Sequence, residues 1–176
     1  EGPLVLAANV ILLQYLNWMS YGVDGFAFAT ESLVGKYAGA KDGPNTNRAI
    51  RLAFAWGMGL ADGFSLLYGL AGTPMLRLFT DEADVISMAR EFMIWMAIFP
   101  VLSTPCYIWD GVFIGLTASK AMRNCMLIAM AIFLGLYYGY GQFEGNHGLW
   151  LTLLVFMVAR GIIQQIAYSW KGLALR

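Results

Sequence analysis

Charged side chains are scarce in this sequence. Lys, Arg, Asp and Glu together make up 12% of the 176 residues, whereas 59% of the residues are hydrophobic. A soluble domain usually carries about 25% charged residues, so this chain has too few to cover a surface that faces water. The alternative solvent is lipid, in which apolar side chains need no cover and backbone groups pair internally. The net charge of zero leaves no basic surface and predicts no nucleic-acid partner.

Histidine and cysteine are also rare, and the usual signatures of enzymes are missing. His147 is the only histidine and lies in a Gly-rich connection, where we interpret it as a solvated loop residue. Cys106 and Cys125 show no metal-ligand spacing and imply no disulfide framework. There is no Gly-x-Ser-x-Gly, no His-Glu-x-x-His and no phosphate-binding Gly loop. We therefore predict that the chain is not an enzyme and binds no metal or organic cofactor.

Long apolar segments predict an all-α, polytopic membrane helix bundle. Each of five segments is long enough to cross a hydrocarbon core of about 30 Å. The connections between them are short, and turn-rich residues 39–45 and 72–74 are expected to end the first two helices. The predicted spans are Leu4–Val34, Ala49–Leu70, Val85–Leu116, Met122–Tyr140 and Leu149–Tyr168.

The third segment is longer than a straight span needs, and it contains Pro100 and Pro105. Each proline removes a backbone donor and tends to kink a helix. Broken helices are common at transport sites, but a purely structural kink is an equally good interpretation.

Basic residues alternate from one connection to the next, as the positive-inside rule requires. The pattern predicts that the chain starts outside and ends in the cytoplasm, and a missing preceding helix would explain the exterior start. The basic residues after the first, third and fifth segments are Lys36, Lys41, Arg48, Arg51, Lys120, Arg123, Lys171 and Arg176. Four glycine pairs also fit the small-xxx-small spacing of helix contacts: Gly35/Gly39, Gly59/Gly63, Gly111/Gly115 and Gly135/Gly139.

The first segment carries a polar stripe that cannot comfortably face lipid. At 3.6 residues per turn its members share one face. An ionised carboxylate at that depth costs several kcal/mol unless it is paired or hydrated. We expect a cation or proton relay here, with a packed and satisfied polar face as the alternative. The stripe comprises Gln14, Asn17, Tyr21, Asp24 and Glu31.

Further polar candidates lie on the later segments. Asp110 follows the two prolines, and Tyr107 is placed to donate a hydrogen bond to it. Asp24 and Asp110 are expected either to pair with each other or to pair elsewhere; as two facing acids they also formally allow an aspartyl protease. Asp62 is a weaker candidate, and Arg160 is expected to snorkel toward the near membrane face rather than to neutralise an acid.

Two motifs resemble the DinF-like branch of the MATE transporters (multidrug and toxic compound extrusion). The first is Tyr21-Gly-Val-Asp-Gly-Phe-Ala-Phe-Ala-Thr-Glu-Ser-Leu-Val-Gly35, continuing to Gly39-Ala-Lys-Asp42. The second is Trp109-Asp-Gly-Val-Phe-Ile-Gly115, followed by Met122-Arg-Asn-Cys-Met126. Both motifs keep the order and spacing of the family, and the similarity covers nearly the whole chain.

The resemblance implies twelve helices in two six-helix lobes, with residues 1–176 as helices eight to twelve of the C-terminal lobe. The N-terminal lobe would be the partner of this chain within one polypeptide, in the bacterial inner (plasma) membrane. Family members of this branch place their main proton-linked acid on the first helix of that other lobe. Other branches use acids on helices seven and ten, and Asp110 lies on the segment that matches helix ten.

The leading functional hypothesis is therefore a secondary transporter. Proton or sodium entry would drive export of amphipathic or cationic compounds by alternating access between two lobes. The small-molecule substrate and the cation would be contacted by Asn17, Tyr21, Asp24, Glu31, Tyr107 and Asp110. The alternatives are a lipid-linked oligosaccharide flippase of the same superfamily, a membrane-embedded enzyme and a non-transporting scaffold.

Overall fold

The computed structural model describes residues 2–171, and within that range every regular element is a helix. Five of the helices are long and apolar enough to cross a membrane, as the sequence predicts. A 3₁₀ turn at Gly141–Phe143 joins the last two. The helices are α1 (Pro3–Gly39), α2 (Gly43–Leu76), α3 (Ala83–Glu91), α4 (Met93–Gly115), α5 (Ser119–Gly139) and α6 (Gly145–Lys171).

The predicted third span is two helices rather than one, and its break does not lie at the prolines. Phe92, with φ −99° and ψ 1°, ends α3 and precedes α4. Pro100 and Pro105 lie inside a continuous α4, where the Ser103 and Thr104 hydroxyls donate to carbonyls four residues earlier. Of the two interpretations of the prolines, the break in the helix is therefore wrong. The charged residues of α3 explain the difference, because the apolar run begins only after them.

Helix α2 also extends beyond its predicted limits. It continues through Pro74 to Leu76, so residues 72–74 do not end it. Its start lies at Gly43, six residues before the predicted Ala49, because Asp42 caps it. The Asp42 carboxylate accepts hydrogen bonds from the backbone N–H (3.1 Å) and the side-chain amide (2.7 Å) of Asn45.

Helix α4 is the centre of the bundle and packs against α1, α2 and α6. Glycines allow its closest approach to α1. A Cβ atom added to Gly111 would lie 3.0 Å from the carbonyl carbon of Ala27, and one on Gly115 would lie 2.6 Å from the carbonyl oxygen of Glu31. The backbones of α1 and α4 are thus in direct contact along one turn.

Only some of the glycine pairs act as predicted. Gly111 and Gly115 form the α1–α4 contact, and Gly35 faces Gly115 across it. By contrast, a Cβ atom at Gly59, Gly63, Gly135 or Gly139 would meet no atom within 4 Å among residues 2–171. The spacing alone did not distinguish these cases, because it says nothing about which way each helix face is turned.

Two apolar clusters form the core, one toward each end of the bundle. The first includes Tyr15 and Tyr68. The Tyr15 hydroxyl donates to the carbonyl oxygen of Gly72, and the Tyr68 hydroxyl donates to that of Tyr15; each hydrogen bond is 2.7 Å long. The second is built around Trp109 and Phe113 and includes Val34, Ile50 and Ala121. Because the first cluster reaches Cys106 on α4 and the second begins at Trp109, the two meet near the middle of that helix.

The glycine contact yields a prediction about stability. Gly111→Ala should lower the free energy of unfolding of the full-length protein by about 1–3 kcal/mol, because the added methyl meets a backbone that cannot yield. Gly135→Ala is the matched control and should be neutral or slightly stabilising, since its site is open and Ala favours helix. Equilibrium unfolding in detergent measures both, and equal stability of the two variants would contradict the packing assignment.

The cap of α2 yields a second prediction. Two hydrogen bonds from Asn45 hold the pKa of Asp42 below its usual range, so ionised Asp42 stabilises the folded state at pH values above the ordinary carboxylate pKa of about 4. This contribution should disappear as pH falls through the lowered pKa. Asp42→Ala should therefore lower the melting temperature at pH 7 and have little effect near pH 2.

Asp42→Asn is the control for the cap. It keeps an acceptor for the α2 N-terminus, so it should remain close to wild-type stability at pH 7 while losing the pH-dependent part. If Asp42→Ala lowers the melting temperature by the same amount at pH 7 and near pH 2, this interpretation is wrong.

Candidate functional site

A polar cluster joins α4 to α6 where the two apolar clusters meet. Asp110 of α4 accepts hydrogen bonds from Arg160 at 2.5 Å and from the amide of Gln164 at 2.7 Å, both on α6. Arg160 and Gln164 are four residues apart, so they lie on the same face of α6. Their neighbours Met157 and Ala167 belong to the first and second apolar clusters respectively. The three polar side chains therefore form a layer between two apolar ones.

The ion pair is largely shielded from solvent. The side chains of Arg160 and Asp110 are 12% and 18% exposed, and Gln164 is fully buried. Among the side chains of residues 2–170, this is the one salt bridge. A buried pair of this kind leaves little net charge, because the guanidinium neutralises the carboxylate directly.

Two polar atoms of the cluster have no hydrogen-bond partner within the described chain. They are Nε of Arg160 and Oε1 of Gln164. Unpaired buried polar atoms are costly. The cluster can still donate one hydrogen bond, from Nε of Arg160, and accept one, at Oε1 of Gln164.

Asp24 lies beside this cluster on α1 but is not part of it. Its carboxylate is partly buried, and none of residues 2–171 donates a hydrogen bond or salt bridge to it. Its charge nevertheless acts on Asp110 and on Tyr107. Ala27, one turn from Asp24, packs on Gly111, the residue after Asp110. The glycine contact thus holds the two acids at similar depth, and only one of them is neutralised.

The rest of the predicted stripe forms no hydrogen bond with Asp110. Tyr21 is 73% exposed, and Asn17 is exposed and donates only a long 3.5 Å hydrogen bond to Gln14. Glu31 is partly buried, and its backbone contacts Gly115. These side chains line the open side of α1, so the structure does not gather all the candidates into one pocket.

Tyr107 of α4 and Asp62 of α2 do not bond to the polar cluster. Tyr107 is partly buried beside Asp110, but the hydrogen bonds to Asp110 within residues 2–171 come from Arg160 and Gln164, so the expected Tyr107 donor is wrong. Asp62 is exposed on α2, away from the polar cluster.

Sequence reasoning missed the partners of Asp110. Arg160 was expected to snorkel toward a membrane face, and that expectation was wrong because it forms a short ion pair with Asp110. Gln164 was noted only as a residue that follows Arg160, with no role assigned to it. The available signal was the i, i+4 spacing of a basic and an amide side chain within an apolar helix, which predicts a shared polar partner.

His147 lies in a helix and not in a loop, contrary to the interpretation from the sequence. It lies in the first turn of α6, where its ring packs on Phe92 at 4.7 Å between centroids. Its Nδ1 accepts a 3.0 Å hydrogen bond from the indole of Trp95. The side chain is therefore exposed but anchored, and it connects α6 to the break between α3 and α4. No group of three His, Cys, Asp or Glu side chains within residues 2–171 is arranged to hold a metal ion.

The ion pair predicts a specific pattern of stability changes. Arg160→Met should lower the free energy of unfolding of the full-length protein by about 3 kcal/mol, because it leaves a buried carboxylate unpaired. Adding Asp110→Asn to that variant should restore more than half of the loss. Arg48→Met, at an exposed position, should change stability by less than about 0.5 kcal/mol. Additive effects of Arg160→Met and Asp110→Asn in a double-mutant cycle would argue against the pair.

Comparisons with known proteins agree with this architecture. Residues 2–140 match the MatE family model. The chain is 37% identical over 170 residues to DNA damage-inducible protein F of Escherichia coli (strain K12), covering 97% of this chain and 36% of that protein. It is 24% identical over 173 residues to the multidrug resistance protein MdtK of Edwardsiella ictaluri (strain 93-146), covering 94% of this chain and 36% of that protein.

A solved structure shows the same fold. The crystal structure of the eukaryotic MATE transporter AtDTX14 superposes with a TM-score of 0.82 at 15% identity, covering 97% of this chain and 40% of that one. This chain therefore spans little more than a third of the length of the relatives that it matches. The match of the family model to most of the chain shows that it belongs to the MatE family of transporters.

Proposed function

We propose that this chain forms most of the C-terminal lobe of an ion-coupled antiporter that exports amphipathic or cationic compounds. The observation that carries the proposal is that two acids lie at similar depth but only one of them has a basic partner. Arg160 neutralises Asp110, whereas Asp24 has no donor within residues 2–171. An uncompensated carboxylate that is partly buried among apolar helices is suited to bind and release a proton or a sodium ion.

The mechanism follows from that charge. Ionised Asp24 attracts a cationic substrate into the space between the lobes, together with the exposed Asn17 and Tyr21 at the open side of α1. Protonation of Asp24, or sodium binding to it, removes the attraction and favours release. Asp110 and Tyr107 stand next to Asp24, and Asp110 holds α4 against α6 while α1 responds. Glu31 lies two turns along α1 and extends the path toward the predicted cytoplasmic end.

The remainder of the transporter belongs to the same polypeptide in this proposal. A chain that covers 36% of one relative and 40% of another leaves room for a second lobe. The exposed apolar residues of α1 and α5 offer it a surface within the bilayer. We place the protein in the bacterial inner membrane with the C-terminus in the cytoplasm, since the basic residues gather at alternate ends of the helices. The coupling ion is a proton or sodium, with no organic cofactor.

The flippase alternative requires an uncompensated basic residue beside Asp24 and Asp110, where the transported lipid-linked phosphate would bind. The basic residue there is Arg160, and its charge is already matched by Asp110. A membrane-embedded enzyme would need two facing acids able to share a proton, but one of the two candidates is held by an arginine. Both observations favour the antiporter.

The proposal predicts a distinct defect for Asp24→Asn. In proteoliposomes containing the full-length protein, gradient-driven efflux of a cationic fluorescent dye should fall about a hundredfold, the lower end of what one proton-transfer group contributes to a rate. The affinity for the cationic dye should fall as well, because the neutral variant mimics the protonated state, which in this mechanism releases the substrate. Running the assay with a pH gradient and then with a sodium gradient identifies the coupling ion.

Asp62→Asn is the matched control, because Asp62 is an exposed acid on α2 and should leave coupled efflux unchanged. Wild-type coupling in Asp24→Asn would remove this acid from the mechanism. Mass spectrometry of the transported compound should find it chemically unchanged; a modified product would favour the enzyme.

A further inference from the structure

A groove opens on the side of α4 that lies between α2 and α6. It consists of two adjoining cavities of about 450 and 390 Å³. Both cavities are lined by Phe54 of α2, Trp109 of α4 and Gln165 of α6, so they form one continuous depression. We call this the α2–α6 groove.

Small residues explain why the groove has a closed floor. A Cβ atom on Gly57 would lie 2.6 Å from Ile108 Cδ1, and one on Gly161 would lie 3.4 Å from the backbone nitrogen of Cys106. Both flanking helices thus approach α4 closely at these glycines. Larger side chains such as Met58 and Ile162 stand on either side and form the walls.

The two cavities differ in chemistry. The larger one is lined by apolar side chains, including Leu102 and Pro105, apart from Gln165. The smaller one lies toward the start of α2 and is lined by Arg51, Asn47 and Tyr168, whose hydroxyl donates to Asn47 at 3.0 Å. Among the lining residues of both cavities there is no carboxylate. The groove is therefore apolar along its length and positive at one end.

Arg51 is free to bind an anion. It is exposed and forms no salt bridge within the described chain. Met58 follows it by seven residues, which places the apolar wall about 10 Å deeper at a rise of 1.5 Å per residue. An anionic headgroup at Arg51 would thus extend its hydrocarbon chain directly into the larger cavity. Arginine forms strong, often bidentate hydrogen bonds with phosphate oxygens.

We propose that the α2–α6 groove is a binding site for an anionic phospholipid, with the phosphate on Arg51 and one acyl chain against Met58 and Ile162. The site lies outside the Asp24–Asp110 region and stands independently of the transport mechanism. A basic pocket between membrane helices is a known way to select anionic headgroups. The bound lipid would fill the one open side of α4 between its two neighbours.

Native mass spectrometry of the full-length protein in mild detergent tests the proposal. Phosphatidylglycerol and phosphatidylcholine with identical acyl chains are added separately, and retained lipid is counted. We expect wild type to bind phosphatidylglycerol more tightly. Arg51→Gln should weaken phosphatidylglycerol binding about fivefold, the effect of one basic residue near an anionic surface, and should abolish the preference. Arg48→Gln, one turn away and outside the groove, should bind as wild type does.

A second variant separates the acyl chain from the headgroup. Ile162→Trp should fill the larger cavity and weaken both lipids, whereas glycerol 3-phosphate should fail to compete because it has no chain. Equal retention of the two lipids by wild type, or equal loss in Arg51→Gln and Arg48→Gln, would overturn the proposal. Competition by glycerol 3-phosphate would instead identify a site for free phosphate. If Ile162→Trp does not fold, the comparison of the two arginine variants still decides.

Discussion

The direct backbone contact between α1 and α4 determines much of the arrangement around it. Gly111 and Gly115 allow α4 to lie against the carbonyl groups of Ala27 and Glu31. Because the contact has no side chains between the two backbones, neither helix can slide without a steric clash. It therefore sets the depth of Asp24 on one helix relative to Asp110 on the other. Tightly packed interfaces have discrete arrangements rather than continuous ones, which suits a helix that must hold an acid in register.

The polar layer within the lobe is arranged asymmetrically. Asp110 is held by Arg160 and Gln164, and its role is to join α4 to α6 across the middle of the bundle. Asp24 is held by no comparable partner within residues 2–171. A buried ion pair is weak evidence for stability but strong evidence that its two charges cannot be separated cheaply. The arrangement therefore neutralises one of these two acids and leaves the other without a basic partner among the described residues.

The sides of α4 meet three different environments. Toward α1 it is tightly packed against backbone, toward α6 it is polar, and between α2 and α6 it borders an apolar groove with Arg51 at one end. The prolines of α4 are compatible with this position because the helix is enclosed by its neighbours. The hydroxyls of Ser103 and Thr104 donate to the backbone carbonyls of Phe99 and Pro100, which is a common local hydrogen bond of Ser and Thr in membrane helices.

The number of spans, the all-helical class and the family could be predicted from the sequence, because lipid imposes a length and an apolar composition on every crossing. Helix ends were less predictable. Phe92 interrupts a run that looks continuous, and Asp42 starts α2 earlier than its apolar pattern indicates. The motif around Asp24 and Asp110 identified both acids, but the spacing within one helix carries no information about a partner on another.

What the sequence alone determined is therefore local: which segments enter the membrane, which acids they carry and which branch of the family they resemble. Tertiary structure decided how those acids differ. Arg160 lies 50 residues from Asp110 along the chain, and whether it reaches the acid or the membrane surface depends on how α6 is rotated against α4. That rotation is set by packing at Gly161 and by the two apolar clusters on either side, which no periodicity within a single helix records.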